Sequence, residues 1–162
     1  MCIRDRLQTI HERTARYIRR GYDLPVFETA VSELRRRGID IIVHTILCLP
    51  GETKSDMLQT IQYLNRQDIQ GIKLQLLHIL KDTDLAEIYA SDPFPVPDPQ
   101  EYYELLGACI SHLRPDIVIH RLTGDGPKEL LIAPLWTCNK RQVLNQLQSY
   151  FKTHDIWQGK EY

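Results

Sequence analysis

Residues Ile39 to Leu49 form a nearly unbroken apolar run, rich in β-branched side chains, that Pro50-Gly51 ends abruptly. A run of this kind suits a parallel strand covered on both sides. Two further stretches, residues 72–79 and 116–122, read as strands parallel to it. Helical patterns fill the intervals. Thr9 to Arg20 places Ile10, Tyr17 and Ile18 on one side, and Phe27, Ala30, Val31 and Leu34 recur at helical spacing between Pro25 and Gly38. Thr53 and Asp56 have the spacing of a capping box before Met57, Leu58, Ile61 and Leu64. A short helix is predicted over 83–90, another from the Asp98-Pro99-Gln100-Glu101 start to Leu113, and a last amphipathic one over 140–154. Strand alternating with helix predicts an α/β domain with parallel crossovers, either a doubly wound sheet or part of a (β/α) barrel.

The 162 residues suffice for one domain with a real core. No apolar stretch nears the roughly 20 residues that span a bilayer, and no secretory signal is visible, so the expected location is cytoplasmic with no membrane partner. The net charge of -1 is unevenly spread: residues 1–37 hold nine Lys/Arg against five Asp/Glu. Arg13, Arg16, Arg19, Arg20 and Arg35-Arg36-Arg37 are either solvated helix faces or phosphate contacts. Cys2, Cys48, Cys109 and Cys138 are too far apart in sequence for a tight cluster or zinc loop, so reduced thiols and no metal site are expected. Residues 1–6 look foreign to the rest of the chain and are read as a non-native leader.

Ligands of α/β domains gather at the carboxyl ends of parallel strands, which directs attention to residues 48–52, 78–82 and 123–128. Alternation along a strand puts His44, Ile46 and Cys48 on one side. On the next strand Lys73, Gln75 and Leu77 share a side, and this polar phase predicts a concave face lined with ligand groups or water. His44 is a hydrogen-bonded core histidine or a ligand group. His120 and Arg121 alternate, so at most one looks inward. Gly124-Asp125-Gly126-Pro127 is a tight turn or a phosphate cradle.

From Leu7 onward the chain resembles the YhcC-like branch of the radical S-adenosylmethionine (radical SAM) proteins, relatives of the elongator catalytic subunit and of oxygen-independent coproporphyrinogen oxidase. The resemblance rests on Leu7-Gln8-Thr9, Ile18 to Asp23, His44 to Glu52, Gly71 to Leu74, Leu77 to Lys81, Ile119 to Asp125, Ala133 to Trp136 and Gln158-Gly159, in that order. It implies the carboxyl-terminal part of a partial (β/α) TIM-like barrel over residues 7–123, with a family extension over 124–162. It also implies S-adenosylmethionine as cofactor, with Gln8 and Arg20 near its methionine part, His44 near the ribose and Ile46 on the adenine. A substrate cavity is expected among Lys73, Gln75, His78, Lys81, His120 and Arg121. Cys48 stands where such proteins often have Gly, and Tyr22 where they often have His.

The family's [4Fe–4S] cluster is held by a CxxxCxxC loop that these residues do not contain. The resemblance therefore implies a fragment of a cytoplasmic, bacterial-type enzyme, inactive by itself. Its partners would be the missing amino-terminal half, a reductant and an unknown substrate, with RNA conceivable. In the whole enzyme a 5′-deoxyadenosyl radical would abstract hydrogen from that substrate. Two rival readings remain: a non-catalytic RNA- or protein-binding α/β module, and a (β/α) barrel metabolic enzyme with a phosphate loop at Gly124 to Pro127.

Overall fold

The computed structural model describes residues 2–124 and 126–162, the first four of them as backbone alone. Strand β1 (Cys2–Gln8) leads to helices α1 (Glu12–Tyr17) and α2 (Leu24–Arg36), then to β2 (Asp40–Leu47) and α3 (Lys54–Leu64). Strand β3 (Gly71–Leu76), the short β4 (Ile79–Leu80), α4 (Asp84–Ser91), α5 (Pro99–Ser111) and β5 (Val118–Arg121) come next. Strand β6 (Leu131–Ala133) and α6 (Lys140–Thr153) complete the order.

Four strands form one parallel sheet in the order β1-β2-β3-β5. Neighbours keep chain order, with no reversal of the kind that makes the crevice of a doubly wound sheet. The arrangement is that of a barrel segment, and the barrel alternative is the one realised. Ile41, Val43, Thr45 and Leu47 of β2 are buried, as are Ile72, Leu74 and Leu76 of β3. All of these but Thr45 share one core with Phe27 and Val31 of α2, Ile61 and Leu64 of α3, and Leu106 and Leu113 on and after α5. The alternate residues face a concave side, so β2 is covered on one face rather than both.

Local signals act where the sequence puts them. Thr53 accepts from the Asp56 N–H while Asp56 accepts from the Thr53 N–H, and Asp98 and Glu101 repeat the device at α5. Each such cap stabilises a helix by about 1 kcal/mol. The first helix is shorter than the 9–20 pattern suggested, because Arg19 takes a left-handed φ of +55° just ahead of Gly21 at +87°.

The predicted strand 72–79 is divided. It leaves the sheet after Leu76, and Ile79–Leu80 turn away to pair antiparallel with Leu131–Ala133. Nothing in the sequence of residues 72–79 signals this. Val143 and Leu147 of α6 join the main core. Behind α6, Gln158 Nε2 donates to the carbonyls of Arg114 (2.8 Å) and Ile117 (2.7 Å), and a Cβ at Gly159 would lie 2.4 Å from Pro115. Residues 2–5, part of the segment read as a leader, pair with residues 40–43 of β2 in the sheet. Strand pairing is made by main-chain groups that nearly every residue carries, so it does not bear on their origin.

Candidate functional site

The concave face is organised in rows across the strands. His44 sits opposite Lys73, and Lys73 opposite Arg121, while Ile46 sits opposite Gln75 one step nearer the carboxyl ends. His44, Lys73, Gln75 and Arg121, with Gln8 and Arg6, line a cavity of about 340 Å³. A second cavity, of about 420 Å³, opens beside it at the strand ends, walled by Tyr17, Ile46, Leu49, Leu77 and Ile88. Gln8 borders both cavities.

Gln8 reaches this position through a left-handed turn, at φ +63°, closed by the Thr9 N–H on the Leu7 carbonyl at 2.8 Å. A three-residue turn at positive φ is strained for a residue with a side chain. Arg20 holds it in place. Its Nη1 donates to the carbonyls on either side of Gln8, Leu7 at 3.3 Å and Thr9 at 2.7 Å. Its Nε donates to Tyr22 (2.7 Å) and its Nη2 to Glu12 (2.8 Å). The guanidinium is only 1% exposed and lines neither cavity on this face. Arg20 is thus engaged by the chain behind Gln8, next to the residue that the resemblance puts with it near the methionine part of the cofactor.

The register of β3 and β5 slips between Ile72 and Lys73, leaving His120 as an extra residue. With strict alternation Arg121 would have pointed toward the helices. The bulge turns it onto the concave face. His120 packs on that face too, at the opposite end, where a Cβ on Gly71 would meet its ring at 2.6 Å. The expectation that only one of the two looks inward fails because strict alternation fails.

His78 and Lys81 do not join the cavity. His78 lies beneath the glycine turn: the Gly126 N–H donates to its Nδ1 at 3.2 Å, and a Cβ at Gly124 would fall 2.2 Å from its ring. The amide of Gly126 is therefore engaged by His78, which removes it from any phosphate cradle. Asp125, the centre of that proposed cradle, lies outside the described residues. Lys81 is exposed, its N–H held by the Leu130 carbonyl.

Cys48 leaves the phase of His44 and Ile46. Its backbone turns left-handed at φ +63°, and its side chain borders a separate cavity of about 560 Å³ with Met57, Phe94 and Leu105. Burial, with the charges of Glu101 and Glu52, pushes its thiol up to about 12. Burial does the same to Cys109, also to about 12. Two carboxylates beside this cavity are committed to the fold: Glu101 closes the α5 cap and Glu52 accepts from Thr9 Oγ1 at 2.6 Å. Glu52 was not singled out from sequence. Its signal was its place directly after the Pro-Gly break, and burial raises its carboxyl despite the Thr9 and Thr14 hydroxyls.

S-adenosylmethionine and an iron–sulfur cluster can be tested against these residues separately. The 420 Å³ cavity has mainly apolar walls suited to a purine, with the Gln8 amide, Thr83 and the Arg19–Asp84 pair also lining it, which fits a cofactor of mixed polarity. Among the described residues no group of three or more His, Cys, Asp or Glu is arranged to hold a metal, so a cluster does not fit there. Likewise, no helix among them is long and apolar enough to cross a membrane.

A family model for the Radical_SAM C-terminal domain matches residues 69–153. The chain is 37% identical over 154 residues to YtqA of Bacillus subtilis, covering 95% of this chain and 48% of that protein. It is 31% identical over 150 residues to YhcC of Escherichia coli K12, covering 93% and 48%. It thus spans about half the length of these relatives. Its fold matches the archaeal Elp3 of Methanocaldococcus infernus with N-terminus deletion at a TM-score of 0.81 and 13% identity, over 97% of this chain and 42% of that one.

Proposed function

Because the chain belongs to the Radical_SAM C-terminal domain family, we propose that its concave face is the cofactor- and substrate-facing part of a radical SAM enzyme. The observation that carries the reading is the apolar cavity at the strand ends, entered by the side chains of Gln8 and Ile46. In this reading Ile46, Leu49, Leu77 and Ile88 pack on the adenine, and burying them against a flat ring supplies most of the affinity. The Gln8 amide bonds the methionine part, and His44, one row below Ile46, reaches toward the ribose. Arg20 acts behind them by fixing the turn that presents Gln8.

When bound in such an enzyme, S-adenosylmethionine supplies the means of hydrogen abstraction. The residues of this chain orient it, exclude water from one side, and present Lys73, Gln75 and Arg121 to whatever lies next to it. The cluster belongs, in this proposal, to protein outside these 162 residues, and the reaction further needs a reductant.

Calorimetric titration with S-adenosylhomocysteine tests the cavity. Saturable binding is expected, with a loss of about tenfold or more in Ile46→Asp, which puts a charge into the apolar wall. Equal affinities for the wild type and Ile46→Asp would remove the cavity from the proposal. Anaerobic incubation with iron and sulfide tests the division of labour. The chain should acquire no stable cluster, and stoichiometric cluster absorbance would contradict the reading.

A further inference from the structure

We infer that Lys73 and Arg121, on the row that begins with His44, anchor the oxyanion of a small acidic substrate, a carboxylate or a phosphate. The inference rests on the proposed function for one point only, that a substrate lies beside the cofactor cavity. Three observations carry it. The three residues are direct cross-strand neighbours on one face. Strands in a sheet lie about 4.8 Å apart, so side chains of one row can reach different oxygens of a single carboxylate or phosphate. The cavity they share with Gln75 has no acidic side chain among its described lining residues, and a concave, positively lined surface concentrates anions.

The second observation is the bulge. Arg121 belongs to the row only because β5 carries one extra residue there. Bulges near sites commonly serve to re-aim a side chain, at the expense of regular pairing. Third, Gln8 borders both this cavity and the apolar one. A molecule held by its acidic end at Lys73 and Arg121 therefore extends past Gln75 and Gln8 toward the neighbouring cavity. His44, Lys73 and Arg121 each also have an interaction within the protein. Arg6 also lines the cavity, but the inference does not need it.

The test uses the 162-residue chain, isotope-labelled, titrated with inorganic phosphate and separately with acetate at constant ionic strength. Saturable shifts of the Lys73, Gln75 and Arg121 resonances are expected, and whichever anion binds more tightly identifies the acidic group. Lys73→Met and Arg121→Met should each weaken that binding by about tenfold or more, whereas Arg36→Met, on the exposed face of α2, should not. Non-saturating shifts, or shifts shared with Arg36 and Arg37, would overturn the inference, and the wild-type map decides this even if a variant does not fold. The same sample titrated with S-adenosylhomocysteine separates the two readings. Shifts at Leu77 and Ile88 without any anion response at the row would leave the cofactor reading standing and remove this one, and the converse would do the opposite.

Discussion

Arg20 Nη2 lies 2.8 Å from Glu12 Oε1, with the arginine side chain 1% exposed and the glutamate 36%. The same carboxylate oxygen accepts from the Leu24 N–H at 2.8 Å, so the pair ties α1 to the start of α2 while Nη1 secures the turn at Gln8. Breaking a buried charge pair typically costs 3–5 kcal/mol. With Glu12 partly in water, Arg20→Ala should cost about 3 kcal/mol in urea denaturation. Arg19, exposed and paired with Asp84, should cost about 1 kcal/mol or less. Similar small losses for both would show that Arg20 is not the clamp described.

Two carboxylates should titrate with opposite effects on stability. Burial alone would raise Glu12, but the Leu24 N–H and the hydrogen bond and charge of Arg20 outweigh it and hold the carboxyl below its ordinary 4.5. Its contribution is full above 4.5 and is lost as pH falls through the folded value. Burial raises Glu52 above 4.5, so its contribution is full below 4.5 and is lost as pH rises through the folded value. Urea midpoints followed from about pH 3 to 7 should therefore fall less steeply on acidification in Glu12→Gln. In Glu52→Gln they should gain on the wild type as pH rises. The same pH dependence in both variants would refute the assignment.

Cys48 adopts φ +63° while its N–H points at Met57 Sδ, 3.2 Å away. A left-handed residue with a Cβ carries about 1 kcal/mol of strain or more, and a β-branched one considerably more. Cys48→Gly should be close to neutral, relief of strain offsetting the lost thiol packing. Cys48→Val should destabilise by about 2 kcal/mol or more. Thermal melts of the two variants decide this, and a well-tolerated valine would contradict the backbone geometry.

The parallel sheet was legible in the alternation of strands with helices, and the buried phase of β2 and β3 in alternating residues: Ile41, Val43 and Leu47 against His44 and Ile46, Leu74 and Leu76 against Lys73 and Gln75. The helix starts at Thr53 and Asp98 were legible because capping is local chemistry. What escaped was non-local or irregular. No local pattern marks Leu76 as the end of β3, since Ile79–Leu80 find their partner in Leu131–Ala133, far along the chain. The bulge at His120 carries no glycine to announce it. Arg20 looks like one arginine among several, and only the folded chain brings two carbonyls and a carboxylate to it. Gln8, likewise, takes a positive φ without a residue that favours one.

In the proposed function the apolar cavity at the strand ends receives the adenine of the cofactor. Nuclear Overhauser contacts between the adenine H2 and H8 protons of S-adenosylhomocysteine and the side-chain methyls of the chain test it most directly. Contacts to Ile46, Leu77 and Ile88 are expected. Contacts confined to Met57, Val96 and Leu105 of the larger cavity, or none at saturating ligand, would contradict it.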